Sequence, residues 1–372
     1  MFRHTIPIGR ILGIPIGLDY SWFVIFGLLT WSLATGYYPN EFKNWPAAQY
    51  WVTAAVTSVL MFACVVLHEL GHSVVALWHR VPVKSITLFI FGGVAQIAAE
   101  PPSAMAEFQI ALAGPFVSFG LAVAFKGCEA LFGRSGPLFA LAEYLAYINS
   151  MLALFNLIPG FPLDGGRVFR AIIWGFTRNF RRATLIAANT GRFIAFLFIA
   201  SGVWQVISGH AANGLWIIFI GWFLDSAAVA QVQQQLVHGL LVGHKVSEAM
   251  SRDYLVIPLG LTVQQVVDEY ILGGGRRTFL VGQQDEVAGL LTLHTIKKIP
   301  RDEWPCTPVE RAMIPFEQMK SIRPEAEVWT ALEKMDRDGV NQLPVMSGKT
   351  LVGLLTRDSI ITYLSALQEL SK

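Results

Sequence analysis

Residues 51–67 carry no charge at all, and this apolar run ends in His68-Glu69-Leu70-Gly71-His72. That junction constrains the chain more than any other stretch. Ionisable side chains at the end of a lipid-compatible helix are costly unless they are paired or bound to a metal. Two histidines four residues apart fall on one face of a helix, one turn above each other. Their imidazoles can therefore grip one ion from the same side. Glu69 follows the first histidine, so its carboxylate can reach a water at that ion. Zinc would then lack only a third protein ligand, because a catalytic zinc keeps one position open.

The surroundings agree with a membrane setting. Of 372 residues, 53% are hydrophobic and only 15% charged, a composition expected of a membrane protein. The formal net charge of +2, with no basic tract carrying interleaved aromatics, argues against nucleic acid as the main partner. Three cysteines, Cys64, Cys128 and Cys306, lie far apart and fit neither a zinc knuckle nor a disulfide framework. Arg3 and Arg10 precede an apolar stretch at 20–35 that continues without charge and without a small-x-small cleavage site. It reads as an uncleaved first span. Further spans are expected at 51–77, 108–125, 138–163, 189–207 and 214–232, each long enough for a hydrocarbon core of about 30 Å.

Six spans put both termini on one side. Positive residues cluster before span one (Arg3, Arg10), after span two (His79, Arg80, Lys84) and after span four (Arg167, Arg170, Arg178, Arg181, Arg182). The other loops hold Lys43, Lys126 and Arg134. The termini are therefore expected in the cytoplasm. Counted from Trp51, His68 then lies roughly 25 Å down its helix, near the cytoplasmic boundary. Residues 85–97, branched and aromatic around Gly92-Gly93, are too short to span and read as a hairpin or bent strand. Such a segment is either a re-entrant packing element or a strand whose edge a substrate's extended backbone can cover. Arg192 and Asp225, inside spans five and six, read as a structural ion pair, with a gate or substrate contact as the alternative.

The third ligand is sought at a matching depth. Residues 156–167 read NLIPGFPLDGGR, and two prolines and three glycines break the helix there. Asp164 sits at the cytoplasmic end of span four, and Gly165-Gly166 permits close backbone approach. A carboxylate suits zinc, so Asp164 is the candidate third ligand.

These motifs carry a resemblance. HELGH at 68–72, Phe91-Gly92-Gly93-Val94-Ala95, Ala113-Gly114-Pro115 and the 156–167 segment look like the site-2 protease family of intramembrane zinc metalloproteases. The resemblance covers about 10–182. It implies one zinc per chain on His68, His72 and Asp164, with Glu69 as general base and Asn156 helping to stabilise the oxyanion. It also implies substrates that are membrane-spanning segments of other proteins, cleaved in regulated intramembrane proteolysis. Ser118 stands where the family commonly has an Asn.

After 232 the composition changes and the chain repeats itself. Val246-Ser247-Glu248-Ala249-Met250 recurs as Val309-Glu310-Arg311-Ala312-Met313, and Gly289-Leu290-Leu291-Thr292 as Gly353-Leu354-Leu355-Thr356. The period of about 63 residues, with only two copies, is unlike a solenoid. Each copy mixes strand-like and helical runs. The pair resembles tandem cystathionine-β-synthase (CBS) domains, a family that often binds adenine nucleotides. The resemblance assigns nucleotide contacts to Thr356 and Asp358. In the first copy Thr292 is kept, but His294 replaces the Asp. A ligand-free dimerisation module, giving a homodimer, is the alternative.

The expected fold class is thus a polytopic α-helical membrane protein, with six transmembrane helices and a re-entrant β-hairpin, plus a cytoplasmic α/β tandem CBS domain. The expected domains are 1–235 (protease), 236–244 (linker) and 245–372, with repeats at about 245–304 and 305–372. The expected location is the cell (inner) membrane of a prokaryote. Two rivals remain from other classes. A CBS-gated transporter or channel predicts charged pore residues and internal repeats among the spans, which the sequence lacks. A non-catalytic membrane scaffold has no need of Glu69.

Overall fold

The computed structural model describes residues 5–90, 92–97, 100–132, 136–274, 278–283, 286–348 and 350–370. Arg3, Phe91 and Arg134, used in the sequence reading, lie outside the described residues. The chain divides into two compact units, Met1–Gln233 and Gln234–Lys372.

The first unit opens on a sheet that the sequence reading did not anticipate. Strands β1 (Thr5–Ile11) and β2 (Ile14–Asp19) form an antiparallel hairpin around Leu12 and Gly13, which both take positive φ. Such a two-residue turn matches the twist of its strands. Strands β3 (Val83–Phe89) and β4 (Gly92–Ile97) make the hairpin expected at 85–97. The two hairpins join, β2 running parallel to β3, into one sheet ordered β1-β2-β3-β4. Pro7 sits in edge strand β1, and Pro15 precedes the three residues of β2 that pair with β3. The missing N–H groups therefore break no central ladder.

Five helices among the described residues are long and apolar enough to cross a membrane. They are Ala47–Trp78, Ala104–Glu129, Pro137–Asn156, Phe180–Ile207 and Ala211–Leu241. The first expected span is a 12-residue helix, α1 (Ser21–Ser32), continued by a π-helical turn at Leu33–Tyr37 and a last turn at Tyr38–Glu41. The five long helices are α2, α3, α4, α6 and α7 in chain order, and α5 is the amphipathic helix Asp164–Thr177. The sheet packs on α2: Ile14, Ile16 and Ile86 bury against Leu70, and Leu88 against Phe62 and Val65. Helix α6 meets α7 through small residues; a Cβ on Gly202 would lie 2.6 Å from the Gly214 carbonyl. Arg192 Nε donates to Asp225 Oδ1 across the same pair at 3.0 Å, an ion pair with both side chains part-exposed.

One charge behaves differently from its sequence reading. The sequence puts Arg170 among the loop charges after span four. It lies within α5, only 5% exposed, and is paired with Glu107 of α3, which is fully buried.

In the second unit α7 stays helical to Leu241, so most of 236–244 is helix. Helices α8 (Val246–Ala249), α9 (Val309–Ala312), α10 (Val328–Asp338) and α11 (Arg357–Leu370) surround two sheets. Strands β5 (Val256–Ile257), β6 (Thr278–Gln283), β7 (Glu286–Thr292) and β8 (Ile314–Pro315) form one, and β9 (Gln342–Ser347) and β10 (Thr350–Thr356) the other. The two repeats exchange their openings. Val246 and Ala249 bury in the core of the second repeat, with Val328, Leu343 and Leu355. Val309 and Ala312 bury in the first, with Ile257, Phe279 and Leu291. The repeated motifs lock crosswise: Met313 packs where a Cβ on Gly289 would fall, and Met250 where one on Gly353 would.

This interlock makes a sharp prediction. A Cβ at Gly289 would meet the Ile314 carbonyl oxygen at 2.6 Å, which is backbone and cannot swing aside. Gly289→Ala should destabilise the tail by about 1–3 kcal/mol, as overpacking does. Hydrogen exchange should show β7 and β8 opening more readily, whereas unchanged protection would dismiss the interlock.

Candidate active site

Helix α2 presents His68 and His72 one turn apart, both buried. Their Nε2 atoms are 3.3 Å apart. Helix α4 ends at Asn156, the chain loops through 157–163, and α5 begins at Asp164. Asp164 Oδ2 lies 3.1 Å from each Nε2. Three atoms from residues up to 96 positions apart thus form a near-equilateral triangle. A carboxylate at a helix N-terminus is also favoured by the helix dipole.

The outer hydrogen bonds decide what this triangle is for. His72 Nδ1 lies 2.7 Å from the Ile110 carbonyl oxygen, which only accepts, so Nδ1 carries the proton and Nε2 a lone pair. His68 Nδ1 lies 2.8 Å from Ser118 Oγ, whose oxygen can accept in the same way. With both rings neutral and protonated on Nδ1, two lone pairs and a carboxylate face one another in a buried site. Only a cation or added protons can hold such a set together. A tetrahedral ion with bonds of 2.0–2.1 Å sets its neighbouring ligand atoms ~3.3 Å apart. The observed edges of 3.1–3.3 Å fit zinc. Ser118, whose role the sequence left open, is here the hydrogen-bond partner of His68.

The neighbouring backbone leaves room for an ion. A Cβ on Gly114 would fall 2.1 Å from His72 Nε2 and 2.7 Å from His68 Nε2. Helix α3 therefore backs the site with a glycine, and Pro115 follows within the helix. Gly165 and Gly166 let the start of α5 press on the 157–161 backbone, where a Cβ would lie 2.3–2.4 Å from main-chain atoms. Glu69 is half-buried, and its Oε2 accepts from the Ala95 N–H of β4 at 3.1 Å. Strand β4 ends the sheet, and among the described residues no strand pairs with its other edge. Asn156 is the last residue of α4, half-buried and eight residues before Asp164.

The residues singled out in the tail have structural employment. Thr356 Oγ1 accepts from Ser359 N–H at 3.0 Å, and Thr292 Oγ1 from Thr295 N–H at 3.2 Å. Both threonines are helix N-caps. Asp358 is exposed in the first turn of α11.

Comparison with known proteins gives the family. The profile of peptidase family M50 matches residues 56–133 and 130–198. A Synechocystis protein carrying a zinc-metalloprotease name is 36% identical over 375 residues, 97% of this chain and 96% of its own. The chain belongs to peptidase family M50. This is the site-2 protease family of zinc metalloproteases, as the spacing of HELGH and 156–167 implied. The Mycobacterium tuberculosis protein Rip3, also named for zinc-metalloprotease activity, is 34% identical over 363 residues, 96% of this chain and 92% of its own. A solved site-2 protease from Methanocaldococcus jannaschii aligns with 62% of this chain and 95% of its own, at 31% identity and a TM-score of 0.44. Residues 309–366 match the CBS domain profile, so the second repeat of this M50 protease's tail is a CBS domain.

The glycine at the back of the site allows a test. Gly→Ala within a helix normally stabilises by roughly 0.5–1 kcal/mol. At Gly114 the added methyl occupies the space between the imidazoles. Gly114→Ala should keep its helical circular dichroism yet fail to retain metal through purification. Stoichiometric metal in that variant would place the ion elsewhere.

Proposed function

We propose that this M50 protease is an intramembrane endopeptidase that cleaves membrane-spanning segments of other proteins, as in regulated intramembrane proteolysis. The observation that carries the reading is the buried triangle of His68, His72 and Asp164 beside Glu69, on an otherwise apolar helix. These three side chains would hold the zinc. When bound, zinc supplies a Lewis acid for a peptide carbonyl and for water. Glu69 takes the proton of the attacking water and delivers it to the leaving amine. The Ala95 N–H steadies the Glu69 carboxylate for that transfer. Asn156 donates to the oxyanion that develops at the scissile carbonyl. A helical substrate hides its carbonyls and must first unwind; helix-breaking residues in it lower that cost. The outer edge of β4 offers the unwound stretch a strand to pair with.

The helical path from α1 through residue 41, about 30 Å long, supplies a sixth crossing beside the five long helices. Both termini then lie in the cytoplasm of a prokaryotic cell, with 1–235 as the protease, 236–244 as linker and 245–372 as regulator. An adenine nucleotide between the CBS repeats would use Asp358 and the helix end capped by Thr356, with Thr292 at the equivalent point of the first repeat. The supporting contact is on the same helix. Tyr363 of α11 and His244 both donate to Glu248 Oε2, at 2.8 and 2.7 Å. His244 lies three residues beyond α7. Those two bonds hold the Glu248 carboxyl down at about 2. A shift of α11 at Asp358 therefore reaches the end of α7.

Three outcomes test the chemistry. Glu69→Gln keeps an oxygen for Ala95 but cannot take up the proton, so zinc should stay and cleavage of a membrane-embedded substrate should stop. Asp164→Ala should lose zinc as well as activity; full occupancy would remove Asp164 from the ligand set. Asn156→Ala should keep zinc and lose roughly a hundred-fold in turnover.

The regulatory reading has its own test. ATP should change the cleavage rate in lipid, and Asp358→Ala should weaken that response with zinc content unchanged. A nucleotide acts only by binding one arrangement better than another. Absence of binding to the full chain at millimolar ATP would leave the tail as a dimerisation module.

A further inference from the structure

Behind the triangle lies a second buried polar cluster that the chemistry above does not use. Glu107, in the first turn of α3, is fully buried, and Arg170 of α5 is nearly so. Arg170 Nε donates to Glu107 Oε1 at 2.8 Å, and a second guanidinium nitrogen bonds the same oxygen. A third reaches Thr184 Oγ1 of α6 at 3.4 Å. The guanidinium lies over two rings, 5.0 Å from the centre of Phe161 and 4.6 Å from that of Phe180. Lysine has no flat face for such stacking.

The sequence positions of these partners matter. Phe161 precedes Asp164 by three residues and Arg170 follows it by six, so the guanidinium grips the chain on both sides of the carboxylate. Glu107 lies three residues before Ile110, which holds His72, and seven before Gly114, which backs both imidazoles. Positions i, i+3 and i+7 share one helix face. The pair thus joins the helix that orients the histidines to the segment that supplies the third ligand atom.

Stability alone does not account for it. A buried ion pair replaced by apolar groups of similar size is often neutral or stabilising, because desolvation offsets the attraction. What a directed pair adds is register. We propose that Glu107 and Arg170 are positioning residues that hold Asp164 on His68 and His72 and so set the metal affinity, an inference resting on the ligand assignment proposed above.

The test uses the full-length protein in detergent. E107M/R170M removes both charges at similar volume, and R170K keeps the charge without the planar fork. Zinc affinity is measured by competition with a chromophoric chelator, melting of the metal-free protein separately, and hydrogen exchange over 164–170 without metal. Groups hydrogen-bonded to metal ligands set affinity by about 10–100-fold, and a pair that acts through the segment carrying a ligand is expected at the lower end of that range. The expected result is at least a tenfold loss of zinc affinity in both variants. Faster exchange at the start of α5 should accompany it, with melting close to the parent. Parent-like affinity and exchange in R170K and in E107M/R170M would overturn the inference. If the double variant fails to fold, R170K decides. If the parent itself takes up no zinc, the ligand assignment falls, and the exchange arm still decides whether the pair fixes α5.

Discussion

With the rings neutral and protonated on Nδ1, two imidazole lone pairs and a carboxylate oxygen meet at 3.1–3.3 Å in a buried site. Left to themselves these atoms repel. The surrounding helices are built to bring them together all the same. Helix α2 sets the two histidines by its pitch, α3 orients the rings through Ile110 and Ser118, and the break between α4 and α5 delivers Asp164. Gly114 keeps a side chain out of the gap, and Gly165 and Gly166 let the start of α5 press on the 157–161 backbone. An arrangement so costly without a cation, and so well dimensioned for zinc, explains why polar groups persist in an apolar stretch.

The sheet belongs to the same design. Here the β1–β2 and β3–β4 hairpins share one ladder and lie against α2 through Ile14, Ile16, Ile86 and Leu88. Strand β4 thereby comes to rest with the Ala95 N–H on Glu69. Gly93 is needed for that approach, since a Cβ there would lie 2.8 Å from Glu69 Cγ. The Glu69 carboxylate is thus held by backbone from outside its own helix.

Local periodicity made the centre legible. Histidines at i and i+4, a helix-breaking run ending in Asp-Gly-Gly and a matching depth were enough to name His68, His72 and Asp164 together. What escaped notice depended on partners distant in sequence. The first hairpin carries Pro7 and Pro15, which mask its strand signal, and its ladder to β3 joins segments about 70 residues apart. Arg170 looked like one more loop cation, because nothing local shows that Glu107 and two aromatic rings enclose it. Ser118 was visible as a departure from the family pattern, yet only the facing helix reveals the histidine it bonds. In the tail the repeat was plain, but the crosswise exchange of Met250 and Met313 is a tertiary choice that either copy's sequence leaves open.

The central claim is that one zinc ion sits on two imidazoles and one carboxylate. X-ray absorption at the zinc edge, on the full chain in detergent, reads that shell directly. The expected spectrum has nitrogen or oxygen neighbours at about 2.0–2.1 Å, with the multiple-scattering pattern of two imidazoles and no sulfur. A sulfur shell near ~2.3 Å, or a shell without imidazole, would contradict the account.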